Sequence, residues 1–182
     1  RGFGSEPCVL ERFLPLEREG SVVLARTHDG RTRCFPPVEN AHRRGILDVS
    51  IAPARIDPTL REAAESLAAA FAESLDYVGV MGGEFFVDAG RLLINEVAPR
   101  PHNSAHFTID ACTASQFDQQ VRALCGLPLA EPRQHTPAAM VNLLGDLWYA
   151  RDPNHAHEPE WERLLEVAGL KLHLYGKRHA RP

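Results

Sequence analysis

Val78-Gly79-Val80-Met81-Gly82-Gly83-Glu84-Phe85-Phe86-Val87 and Arg91-Leu92-Leu93-Ile94-Asn95-Glu96-Val97 are two runs rich in Val, Phe, Ile and Leu, joined by Asp88-Ala89-Gly90. β-Branched and aromatic residues in such runs read as strands, and Gly90 suits a left-handed turn position, so the pair reads as a β-hairpin. A three-residue loop over 88–90 sets Val87 opposite Arg91, Phe86 near Leu92 and Glu84 near Ile94, with Glu96 diagonal to Glu84. Diagonal neighbours lie about 7–8 Å apart and their side chains converge, so two carboxylates point at one volume. An ionised carboxylate in an apolar strand is costly without a partner. Hard oxygen ligands suit magnesium, especially with phosphates completing its shell. The plainer alternative is a solvated sheet face on which both glutamates pair with Lys or Arg.

The residues after Glu96 favour a site. Ala98-Pro99-Arg100-Pro101-His102-Asn103-Ser104-Ala105-His106 is a proline-stiffened loop dense in hydrogen-bonding groups. Arg100 offers a bidentate fork for phosphate or carboxylate, and His102, Asn103, Ser104 and His106 each donate or accept. Asn103 and Ser104 as simple turn and cap residues are the plainer reading. His102 and His106 have helical spacing for zinc, but Pro99 and Pro101 argue against a helix there. His155 and His157 sit in a polar loop and read as exposed, and Gly2-x-Gly4 is too short for a phosphate loop.

Outward from the hairpin, Cys8-Val9-Leu10 and Ser21 to Ala25 read as strands, the latter followed by a turn at Asp29-Gly30. Glu39 to Gly45 reads as a polar loop leading into a strand over 46–51 that stops at Pro53. Asp57-Pro58 is an N-cap followed by proline at the first helical position, and Leu60, Ala64, Leu67, Ala68, Phe71 and Leu75 recur on one helical face. Ser115 and Asp118 frame a second helix ending at Gly126. Strands are expected over 138–144 and 170–175, and a helix over 159–167. Strands and helices without regular alternation imply an α+β fold with a mixed or antiparallel sheet.

Twenty Lys plus Arg against 24 Asp plus Glu leave a net charge of −4 over 182 residues, which argues against a nucleic-acid partner. With 44% hydrophobic and 24% charged residues, disorder is excluded. No stretch approaches the ~18 uninterrupted apolar residues of a membrane helix, nor does the start carry a secretory apolar run, so a soluble cytoplasmic protein with no membrane partner is expected. Cys8, Cys34, Cys112 and Cys125 form no C-x-x-C pair and are expected to be reduced and mostly buried. The chain opens at Arg1 without Met, as a fragment would.

The run from Tyr77-Val78-Gly79-Val80 through Leu93-Ile94-Asn95-Glu96-Val97-Ala98-Pro99-Arg100-Pro101-His102-Asn103-Ser104 to Thr108-Ile109-Asp110-Ala111-Cys112 resembles the 5-(carboxyamino)imidazole ribonucleotide synthetase family of ATP-grasp enzymes. Glu39-Asn40 with His42, Gly45-Ile46-Leu47, Ser115-Gln116-Phe117, Leu127-Pro128-Leu129 and His173-Leu174-Tyr175-Gly176-Lys177 extend the resemblance over essentially the whole chain.

The resemblance implies an ATP-grasp C-terminal lobe plus a small C-terminal α/β subdomain. Residues 1–14 would end the small lobe and form the hinge, 15–130 would be the large lobe and 131–182 the subdomain. It implies ATP and magnesium as cofactors and bicarbonate and aminoimidazole ribonucleotide as partners, in a homodimer. Glu11, Arg12, Phe13 and Leu14 would meet adenine, and Glu19 the ribose. His42, Asn95 and Glu96 would also lie at the nucleotide, with Glu84 and Glu96 as magnesium ligands. Arg100, His102 and Asn103 would be catalytic, and Ser104, Lys177 and Arg181 would bind substrate. The family has a preceding region with the phosphate-covering glycine loop, so the chain resembles the C-terminal half of the enzyme and is expected to be inactive alone. Formate-dependent glycinamide ribonucleotide transformylase, whose loop reads closer to Ser-Pro-Arg-Pro-His-Asp-Thr, and a non-catalytic nucleotide-binding or dimerisation module are the alternatives.

Overall fold

Arg18-Glu19-Gly20-Ser21-Val22-Val23-Leu24-Ala25-Arg26 forms β1, the centre of the sheet, and its last seven residues are all buried because both faces are covered. The computed structural model describes residues 7–176. The other strands are β2 (Thr32–Cys34), β3 (Val38–Arg43), β4 (Ile46–Ala52), β5 (Gly79–Asp88), β6 (Arg91–Ala98) and β7 (Ala138–Val141). They pair antiparallel in the order β6-β5-β1-β3-β4-β7, with β2 also on β1. The fold is α+β, as expected.

Alternation along the strands divides the core in two. Val22, Leu24, Met81, Phe85 and Val87 face the helix α1 (Pro58–Ser74), which buries Ala64 and Ala72 and packs Leu60, Ala68 and Phe71 against them. Asp57 caps α1 by accepting from the Thr59 N–H at 2.9 Å. Leu75 ends the expected apolar stripe as the C-cap and is exposed. On the opposite face Val23, Ala25, Val38 and Val80 pack under Ala105, Phe107, Ala111 and Cys112. These belong to the segment holding α2 (Thr108–Ala111) and leading to α3 (Gln116–Leu124). Ser115 caps α3, accepting from the Asp118 N–H at 3.1 Å.

Several expectations are corrected. Cys8-Val9-Leu10 is not a strand; Val9 and Leu10 are 87% and 99% exposed, with no strand among the described residues beside them to pair. Residues 170–175 likewise form no strand, the 159–167 helix shrinks to α4 (Trp161–Leu165), and the strand from Ala138 stops at Val141. Residues 39–43, read as loop for their polarity, are strand β3, whose polar side chains are paired with neighbouring strands and side chains. Cys112 alone of the four cysteines is buried, and Cys8 and Cys125 are exposed. No helix among the described residues is long and apolar enough to cross a membrane.

The hairpin differs from expectation in a way that matters. Ala89 (φ 49°) and Gly90 (φ 72°) form a two-residue turn, so Asp88 pairs with Arg91 and Val87 with Leu92. Two positive φ values match the right-handed strand twist, which a longer loop would not need to do. That register alone would put Glu84 and Glu96 on opposite faces. A bulge beside Glu84 and Phe85 inserts Asn95 as an extra residue, and Glu84 then stands directly opposite Glu96.

Candidate functional site

The face of the sheet opposite α1 carries the polar cluster. Ser21 pairs with Glu84 and Glu19 with Asn40, and past a bulge at Asp48 of β4 His42 pairs with Leu47. Glu84, Glu96 and the imidazole of His102 each offer a ligand atom within 4.8 Å of the others. Glu84 is half-buried, Glu96 exposed and His102 buried. Glu84 Oε1 lies 3.3 Å from His102 Nε2, and Asn95 Nδ2 lies 3.5 Å from Oε2, a marginal hydrogen bond.

His102 reaches this position because β5 has no side chain beneath it. A Cβ on Gly82 would stand 2.8 Å from His102 Cβ and 2.9 Å from Cγ. Its backbone is clamped by fully buried Gln116, which accepts from the His102 N–H and donates to its carbonyl, both at 2.8 Å. Gln116 Nε2 also donates to His106 Nδ1 at 2.9 Å, leaving the His106 proton on Nε2. Burial is the main cause that pushes the His106 imidazole below its usual pKa. The hydrogen bond from His102 is the main cause that holds Glu84 below the usual glutamate value, against burial, and positive charge at His102 and His42 would add to it. Glu84 is therefore an anion at neutral pH, and its pairing with Glu96 concentrates negative charge where a cation fits.

The structure brings together part of the expected set. Glu19 pairs with His42 Nδ1 on the same sheet face, and Asn95, Glu84, Glu96 and His102 converge. Arg100 is exposed, spending one N–H on the Pro101 carbonyl at 3.0 Å, and Asn103 is half-buried in a 3-10 turn over 103–105. Ser104 is fully buried, its hydroxyl 2.8 Å from His102 Nδ1 and 2.6 Å from Ser21 Oγ, so it acts on the site through His102. Glu11, Arg12, Phe13 and Leu14 lie in a segment without regular structure, Phe13 being 94% exposed. Lys177 and Arg181 lie outside the described residues. Sequence reasoning missed Ser21, Asn40, Ser50, Gly82 and Gln116 as parts of the site. Polar residues inside apolar strands, as at Ser21 and Ser50, are the one trace they leave.

Two family models match the chain: the ATP-grasp domain over residues 2–117 and the phosphoribosylaminoimidazole carboxylase C-terminal domain over 138–182. The N5-carboxyaminoimidazole ribonucleotide synthase of Bacillus subtilis is 43% identical over 93% of this chain. The chain spans 43% of that relative's length. The crystal structure of N5-carboxyaminoimidazole ribonucleotide synthetase from Thermus thermophilus superposes with a TM-score of 0.84 at 42% identity, covering 93% of this chain and 44% of that one. The N5-carboxyaminoimidazole synthase from Aspergillus clavatus, in complex with ADP and 5-aminoimidazole ribonucleotide, superposes with a TM-score of 0.70 at 31% identity, over 73% of this chain and 36% of that one. A match over residues 2–117, more than half of the 182, together with these superpositions, makes the chain a member of the ATP-grasp family.

Proposed function

We propose that the chain supplies the metal-holding and carboxylating side of an enzyme that uses ATP and bicarbonate to convert 5-aminoimidazole ribonucleotide to N5-carboxyaminoimidazole ribonucleotide in purine biosynthesis. The observation that carries this reading is the bulge-restored register that sets Glu84 directly opposite Glu96 beneath the Ala98-Pro99-Arg100-Pro101-His102-Asn103-Ser104 loop. The named relatives, and the Aspergillus clavatus complex in particular, support the nucleotide and the ribonucleotide as ligands.

The donor set fits magnesium: two carboxylates with oxygen ligands, one half-buried and one open to solvent, with nucleotide phosphates and water to complete the shell. Magnesium, when bound, neutralises charge on the phosphates. Glu84 and Glu96 would hold it, and His102 and Asn95 keep Glu84 oriented. Glu11 to Leu14 would meet adenine, Glu19 the ribose, and His42, paired to Glu19, would fix that carboxylate. Phosphoryl transfer from ATP to bicarbonate yields carboxyphosphate and ADP, and the exocyclic amine of the aminoimidazole then attacks the carboxyl carbon, losing a proton and releasing phosphate.

Arg100, whose remaining N–H groups have no protein partner among the described residues, would stabilise the charge spread over the transferring oxygens. Asn103 would orient carboxyphosphate at the same end, His102 would act through Glu84, and Lys177 and Arg181 would hold the ribonucleotide phosphate. Positioning supplies most of the rate, and exclusion of water protects carboxyphosphate. Residues 1–14 are read as the hinge, 15–130 as the large lobe and 131–182 as a C-terminal subdomain, in a homodimer.

The test is ADP release by the full-length protein carrying these residues. Turnover should require bicarbonate and aminoimidazole ribonucleotide together; turnover supported instead by formate and glycinamide ribonucleotide would transfer the chain to the transformylase reading.

A further inference from the structure

Beneath the carboxylates lies a chain of buried polar groups that the proposed reaction does not use. Ser50 Oγ lies 2.7 Å from Asn40 Oδ1, Asn40 Nδ2 3.1 Å from Ser21 Oγ, and Ser21 Oγ 2.6 Å from Ser104 Oγ. Ser104 Oγ in turn lies 2.8 Å from His102 Nδ1. The chain runs from β4 through β3 and β1 to the turn after Pro101, and Ser50, Asn40, Ser21 and Ser104 are 1%, 6%, 1% and 0% exposed. Water does not reach these groups, so each must satisfy its neighbours, and their hydrogens fall into one consistent order.

That order can be read from its end. A carboxylate only accepts, so His102 must present Nε2–H to Glu84 Oε1. At the other ring nitrogen the donor is the Ser104 hydroxyl, because Asn40 donates to Ser21, Ser21 passes its hydrogen to Ser104, and the partner left for the Ser104 hydrogen is Nδ1. Ser104 then accepts from the Ser21 hydroxyl, Ser21 accepts from the Asn40 amide, and Asn40 Oδ1 accepts from Ser50. Every hydroxyl hydrogen is used once, and the Asn40 amide orientation this requires is the one in the structure.

We propose that Ser50, Asn40, Ser21 and Ser104 are positioning residues that set the tautomer of His102, fixing its proton on Nε2 against Glu84. One consequence rests on the cation site proposed above: Nε2, carrying a proton, cannot ligate, so the cluster of three groups is two ligands and one hydrogen-bond donor.

Long-range proton–nitrogen NMR of the 15N-histidine-labelled chain reads the proton's position directly. Wild-type His102 should show a protonated Nε2 and a bare, hydrogen-bonded Nδ1. Asn40→Asp replaces the amide donor with an acceptor, turns Ser21 and Ser104 round and should place a proton on Nδ1. Ser104→Ala, the gentler variant should Asn40→Asp not fold, should shift Nδ1 to the value of an unbonded ring nitrogen, with Ser104→Thr restoring it. A wild-type His102 protonated at Nδ1 alone, or a Ser104→Ala spectrum identical to wild type, overturns the proposal. Added magnesium should leave Nε2 protonated; loss of that proton would put His102 among the ligands and overturn the consequence while leaving the tautomer result standing.

Discussion

Gly82→Ala is the smallest change that tests how the site is held. A Cβ there would meet His102 Cβ at 2.8 Å and Cγ at 2.9 Å, where ordinary contact begins at 3.4 Å, so the imidazole must retreat by at least about 0.6 Å. His102 has little room to do so, because Gln116 clamps both of its backbone groups. Overpacking of this kind costs about 1–3 kcal/mol, and relief of glycine's strand penalty returns about 0.5–1 kcal/mol. The net loss is on the order of 1–2 kcal/mol, or roughly 2–8 °C in Tm for a chain of this size. The 3.3 Å contact to Glu84 would also lengthen past hydrogen-bonding range, so magnesium-dependent activity of the full-length enzyme should fall along with stability. Gly83 is the control. Its Cβ would point the other way, toward the apolar gap beneath α1 lined by Leu67 and Phe71, with nothing nearer than the Val22 carbonyl at 4.0 Å. Gly83→Ala should be neutral or stabilise by about 0.5–1 kcal/mol, with activity unchanged. Paired thermal melts and turnover measurements check both variants. If Gly82→Ala melts at or above wild type with full activity, the close approach of His102 to β5 is wrong.

In the full-length enzyme Arg100→Lys should lower kcat and kcat/KM together by about 2–4 kcal/mol, because a point charge replaces the planar fork; a raised KM for ATP with normal kcat would place Arg100 at the nucleotide instead. Glu84 has a folded pKa below its ordinary 4.5, so its contribution to stability is complete above that value and is lost as pH falls through the lower folded pKa. Urea midpoints of wild type and Glu84→Gln should therefore differ at neutral pH and converge in acid, and a gap that stays constant down to about pH 3 would refute the linkage.

Local chemistry is written into the chain. Asp57-Pro58 starts α1, Ser115 starts α3, and the Val- and Phe-rich runs around Asp88-Ala89-Gly90 make a hairpin, because caps, turns and strand alternation depend on residues a few positions apart. The Glu84–Glu96 pair and the loop after it were legible for the same reason, together with the resemblance those residues carry. Tertiary structure decided the rest. The two glutamates share a face as expected, though directly opposite rather than diagonal, through two departures that offset each other, a shorter turn and a bulge at Asn95, neither of which alternation alone reveals. Glu39 to Arg43 looked like loop because strands are recognised by apolar alternation, whereas β3 sits between β1 and β4 and satisfies its polar groups across the sheet. Val9 and Leu10, apolar enough for a strand, have no neighbouring strand among the described residues and stay exposed. The chain from Ser50 to His102 joins residues as far as 83 positions apart, and such hydrogen bonds exist only once the sheet register has set the groups side by side.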